Sequence, residues 1–170
     1  MKYIHAASAA VAAGLTILGA SAGMAAALTI DKQLILAEHN KYRTEVGVPP
    51  LAWSDRLAAG AQRWADTIAL LDRMKHSGTS RIGENLAYWH GPNASLSTLI
   101  GMWEREKQLF QLGTFPNVSR DGNWRSVGHY TQMVWRATSE VGCAEAAGAE
   151  EDILVCRYSE AGNYIGERPF

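Results

Sequence analysis

The chain has little of what many function classes require. Only two cysteines occur in 170 residues, and neither stands in the CxxC or CxxH spacing of a compact zinc site. There is no GxSxG elbow for a serine nucleophile, no phosphate-cradling glycine loop and no HExxH helix. Acids and bases almost cancel, with a formal charge of −1, so the chain offers no electrostatic footprint for nucleic acid. No apolar run approaches the roughly 20 residues of a membrane span. Repeats, linkers and low-complexity tracts are also missing, which leaves one ordinary domain.

What is present begins with an export leader. Lys2, an apolar stretch from Ala9 to Leu18 and small residues to Ala27 read as a signal peptide over 1–27. Cleavage is expected between Ala22 and Leu28, leaving a domain over 28–170 that is extracellular or periplasmic. The alanine-rich leader leans bacterial, and no cysteine lies near its end to accept a lipid anchor. In an oxidising compartment Cys143 and Cys156 are expected to pair, and such a short loop stabilises a fold by roughly 3 kcal/mol. Asn93 and Asn117 stand in glycosylation sequons that matter only in a eukaryotic secretory route.

Apolar spacing organises the domain. Ile35, His39, Tyr42 and Val46 share one face of a helix over 31–46, which Pro49 and Pro50 cannot continue. Ser54 is placed to cap a second helix carrying Leu57, Ala61, Trp64, Ile68 and Leu71, fading near Lys75. A third is expected from Leu96 to Phe110, with Ser95 and Ser97 as cap candidates. NLAYW, EVGCAEAA and DILVCRYS read as strands, the last two as a hairpin turning at GAEE. Helices followed by strands predict an α+β fold with helices packed on a small antiparallel sheet.

Some polar residues fall where apolar ones are expected. Continuing the period of the third helix from Trp103 by three reaches Glu106, on the buried face. His129 precedes the core-like run of Tyr130, Met133, Val134 and Trp135. A buried ionisable group demands a partner, so these two are expected to meet. His76 and Glu84, in the loop between the second and third helices, are candidates for the same cluster. Two imidazoles and two carboxylates suit a divalent metal, with carboxylates as ligands, orienting partners or a base for bound water. The alternative is a hydrogen-bonded cluster that only ties loop to helix. His39 reads as a satisfied core histidine and His90 as a surface turn residue, while Trp53, Trp64 and Trp103 read as core.

GHYTQMVW (128–135) and ILVCRYSEAGNY (153–164) resemble the two signature motifs of the CAP superfamily: cysteine-rich secretory proteins, antigen five and plant pathogenesis-related one proteins. HNKYR (39–43), LAWSDRLAAGAQRWA (51–65), HSG (76–78), GENL (83–86), MWEREKQ (102–108) and YIGERPF (164–170) are similar to its other blocks, in the same order. The resemblance implies an α-β-α sandwich with a central cleft lined by His76, Glu84, Glu106 and His129. It implies a divalent ion there, zinc first, held mainly by the two histidines, and it matches the Cys143–Cys156 pair to one family bridge. The chain departs from the pattern at Glu160 and Phe110, and its loop from Gln111 to Trp124 is short and free of cysteine.

The expectation is therefore an exported, non-enzymatic module with a metal-binding cleft that takes a lipid, sterol or other small hydrophobic ligand. A zinc-dependent hydrolase using Glu84 or Glu106 as base is the second reading. An interaction module for an unknown protein partner, its tetrad purely structural, is the third.

Overall fold

The computed structural model describes residues 30–71, 73–91, 94–148 and 151–170. The expected leader and the sequon at Asn93 lie outside the described residues.

Helix α1, Lys32–Glu45, starts where the Asp31 side chain accepts from the backbone N–H groups of Gln33 and Leu34. That satisfies donors which have no partner inside the helix. Strand β1 is only Ala52–Trp53, followed by helix α2, Asp55–Leu71. Strand β2 spans Gly83–His90 and helix α3 spans Leu96–Glu104, the latter capped by the Ser95 hydroxyl on Thr98 N–H. A short helix α4, Gly128–Met133, precedes strands β3, Glu140–Ala147, and β4, Glu151–Ser159.

The four strands run in the order β1-β3-β4-β2. The three long ones are antiparallel, as expected, and β1 adds a two-residue parallel edge to β3. Because side chains alternate across a strand, β4 serves two cores. Ile153 and Val155 face Ala61, Ala65 and Ile68 of α2. Leu154, Cys156 and Tyr158 face the other way, toward Ile35 of α1, Leu99, Ile100 and Trp103 of α3, and Tyr130 and Met133 of α4. The result is the α-β-α sandwich the motifs implied. Cys143 and Cys156 are directly opposed in the ladder and joined by a disulfide, buried on the α1 side of the sheet.

Two boundaries differ from the sequence reading. The third helix does not run on to Phe110: after Glu104 it tightens into a 3-10 turn over Arg105–Gln108, which carries Glu106. Glu84 is not in a loop but in β2, paired in register with Arg157 of β4. Gly83 and Asn85 on either side of it are turn formers, and strand pairing overrides that local preference. Among the described residues no helix is long and apolar enough to cross a membrane.

Candidate functional site

The four residues form two pairs. Glu106 accepts from Nδ1–H of His129 at 2.6 Å through one oxygen. Its other oxygen accepts the backbone N–H groups of His129 and Tyr130 at 2.9 and 3.0 Å. Glu84 accepts from Nδ1–H of His76 at 3.0 Å and from Ser77 N–H at 2.8 Å. An ionised carboxylate can only accept, so each pair places an imidazole proton on Nδ1, and in the neutral ring the lone pair is then on Nε2. This is the arrangement by which carboxylates orient histidines that bind a metal.

The pairs differ in burial. The Glu84 side chain is 8% exposed, whereas its partner His76 is 61% exposed. Burial alone would raise the Glu84 carboxyl, but the bonds from His76 and Ser77 outweigh it and hold it below the usual carboxylate range. The second Glu84 oxygen lies 3.3 Å from Nε of Arg157, a charge contact without hydrogen-bond geometry, since both atoms lack a hydrogen-bond partner.

His76, Glu84 and His129 line one cavity of about 500 Å³, with Glu106 behind His129 rather than on the cavity wall. The four expected residues are therefore brought to one place, but not as a fourfold ligand set. Among the described residues no three His, Cys, Asp or Glu side chains are gathered as a metal-binding group. The donors that fit a metal are the two imidazole Nε2 atoms; water or a ligand would have to supply the rest.

Each element is anchored so that His129 is held from behind. Its ring stacks on Trp103, with centroids 6.1 Å apart and planes 18° from parallel. Its backbone carbonyl accepts from Asn85 Nδ2 at 3.1 Å, and Asn85 also reaches the Tyr158 hydroxyl at 3.2 Å. Tyr158 continues to Nε2 of His39 at 2.8 Å, and His39 Nδ1 bonds the Ile35 carbonyl at 2.8 Å. A carbonyl only accepts, so His39 is protonated on Nδ1 and Tyr158 donates to Nε2. Desolvation dominates at His39 and pulls its pKa down to about 4, so it is neutral in the fold. The core reading of His39 is thereby met, and this relay from α1 to the cleft escaped the sequence reading.

Arg43 supports the same helix. Fully buried, it donates to the carbonyls of Pro49, Met133, Trp135 and Thr138. Two of these lie at the C-terminal end of α4, where a cation is favoured. Desolvation lowers its pKa to about 10, which leaves it charged at neutral pH.

The opposite wall is the segment after β4. Gln132 of α4 accepts Gly162 N–H, and Asn163 donates to the Gly128 carbonyl while accepting from Thr131. Gln132 passes so close to β2 that a Cβ at Gly83 would stand 2.2 Å from its Oε1. Trp124 and Arg125, which the sequence places in a loop-like stretch without periodicity, complete the lining. Nothing in the sequence reading singled them out.

A sequence profile of the Cysteine-rich secretory protein family, CAP, matches residues 36–158. The chain belongs to this family. Venom allergen 5 of Polistes dominula is 36% identical to this CAP chain over 162 residues, covering 81% of it and 70% of the venom protein. Pathogenesis-related protein 1A of Nicotiana tabacum is 39% identical over 141 residues, covering 82% and 81%. The crystal structure of NaASP2 with Zn2+ superposes with a TM-score of 0.70 at 23% identity, covering 81% of this chain and 83% of that one. At that identity the likeness is one of fold. The signature stretches of this CAP chain, 128–135 and 153–164, are those that build α4, β4 and the far wall of the cavity.

Proposed function

We propose that this CAP domain is an exported binding module whose cleft holds a divalent metal, zinc first, between Nε2 of His76 and Nε2 of His129. The observation that carries the reading is the pair of carboxylate-oriented imidazoles on one cavity, each with Nδ1 already engaged. A bound metal would supply a Lewis-acidic anchor for a ligand. Glu84 and Glu106 orient the histidines and do not ligate. A solved structure of similar fold, NaASP2, contains Zn2+, which supports the choice of metal. Trp124, Ile82 and Ala161 give the cavity an apolar side suited to a lipid, sterol or other small hydrophobic ligand. The disulfide, the leader-like N-terminus and the secretory family support an extracellular or periplasmic location.

Binding is favoured over hydrolysis by the state of the carboxylates. A general base must reach a water on the substrate side. Both oxygens of Glu106 are occupied behind His129; one oxygen of Glu84 accepts from His76 and Ser77, and the other is buried in charge contact with Arg157.

Calorimetric titration of zinc into the metal-stripped protein near neutral pH tests the proposal. One-site binding is expected, weakened by about tenfold or more in His129→Ala and in His76→Ala. With zinc present, a fatty acid or a sterol should then bind saturably. No zinc binding by the folded protein would leave the two pairs as purely structural links.

A further inference from the structure

The cavity carries a cation that the two pairs do not use. Arg125 lies over the ring of Trp124, 4.7 Å from its centroid, and both residues line the cavity with His76 and His129. A guanidinium keeps its charge at any physiological pH and presents a planar fork of donors. Stacking on an aromatic face fixes that fork without consuming the N–H groups. Among the described residues, Arg125 has no carboxylate within ion-pair distance, whereas the acid on the cavity wall, Glu84, is answered by Arg157 and His76. Glu106 is in turn consumed by His129 and two backbone N–H groups. Among the described residues, the cavity therefore has an oriented cation and no free anion to balance it.

We infer that Arg125 is the anchor for an oxyanion, the carboxylate or phosphate monoester of a small organic ligand whose apolar body lies against the Trp124 side of the cleft. This deepens the proposed function by assigning the ligand an acidic head, and it rests on the cleft being a binding site. The metal adds to it without being required. One ligand oxygen would be held by Arg125 and another would face the position between the two imidazoles. A cavity of about 500 Å³ has room for a ring-sized body behind such a head. A neutral molecule of the same shape leaves the guanidinium unanswered and forgoes the charge-assisted bonds that outweigh neutral ones.

The test is a titration of benzoate and of phenyl phosphate, with benzamide as the neutral counterpart, followed by amide NMR shifts and calorimetry on the wild type and on Arg125→Gln. Each arm is run metal-stripped and with zinc. Saturable binding of at least one anion is expected, with shifts centred on Arg125, His76 and His129, and a loss of about tenfold or more in Arg125→Gln. Preference for benzoate over phenyl phosphate, or the reverse, identifies the head group. Zinc binding should persist in Arg125→Gln, because Arg125 is not a ligand to the metal. Anion binding lost in Arg125→Gln in a wild type that takes up no zinc would overturn the metal reading and keep this one. Equal binding of benzamide and benzoate, or an Arg125→Gln protein that binds both anions as the wild type does, would overturn the inference even if zinc binds. A folded wild type that takes up neither anion in either state would overturn it as well.

Discussion

Below a pH of about 6.5 an unfolded chain holds a proton on His39 that the folded core refuses. The ring is completely buried, its Nδ1 proton is committed to Ile35 and its Nε2 accepts from Tyr158. Desolvation brings its folded pKa from 6.5 to about 4, opposed by the Ile35 bond, which raises it, and helped by the nearby charge on Arg43. Between those two values the unfolded state binds more protons, so stability rises with pH across the window and is lost as pH falls through it. From pH 6.5 to about pH 5 this one residue should cost about 1.5 kcal/mol. His39→Gln, which keeps a polar side chain but cannot ionise, should be less stable at neutral pH and show a flatter acid limb. Urea unfolding of both proteins across that range decides it, and parallel profiles would mean that the core tolerates the imidazolium. Every other titrating group is common to the two proteins, so the difference between their profiles isolates His39. Arg43 marks the contrast: it is equally buried yet remains charged, because four carbonyls face its donors.

Among the elements, α2 and β3 meet backbone to backbone. A Cβ placed on Gly142 would stand 2.3 Å from the backbone nitrogen of Ala58 and 2.4 Å from the carbonyl oxygen of Ser54. Neither is a flexible side-chain end, so the helix itself would have to move. Gly142→Ala should therefore lower the unfolding free energy by about 3 kcal/mol, at the upper end of overpacking effects. A loss below about 1 kcal/mol on thermal or urea unfolding would show that the start of α2 is free to shift. This contact is invisible in the sequence, where Gly142 reads as a weak point in a strand. Long amphipathic elements were legible: α1, α2 and the hairpin strands fall where spacing puts them, because their apolar stripes match the faces they bury. Glu106 was also legible as an inward residue, since the 3-10 turn that carries it is entered in phase with α3. The break itself was not, and neither was β1, which is two residues long and defined by its pairing with β3. The grouping of His76, Glu84, Glu106 and His129 followed from burial arguments and motif resemblance. Which imidazole meets which carboxylate depends on contacts up to 23 residues apart in sequence, which no local pattern encodes. Arg125 left no signal, because its stretch has no period and its role arises from the Trp124 ring beneath it.

At the scale of the whole molecule, the sheet divides support from site. One layer, α2, covers the face made by Ile153 and Val155. The other layer, α1, α3 and α4, packs on the face that carries the disulfide and the relay through Tyr158. A single row across the sheet runs Cys143, Cys156, Asn85, and Asn85 holds the His129 carbonyl. The disulfide therefore fastens the hairpin whose β4 strand pairs with the cleft strand β2. It closes a sequence separation of 13 residues. In the chain-entropy account, removing such a link from the unfolded ensemble costs about 3 kcal/mol. The two strands are also registered by their own ladder of backbone pairs. The expected outcome for Cys143→Ala with Cys156→Ala is thus a protein that still folds, with urea unfolding showing about 3 kcal/mol less stability. A loss near zero would mean that the unfolded chain is already compact around the hairpin. Complete unfolding would mean that burial in the two layers leaves a smaller margin than a domain of this length ordinarily has. Either departure would relocate the stability that holds His129 against Trp103, from the sheet that carries the site to the packing that covers it.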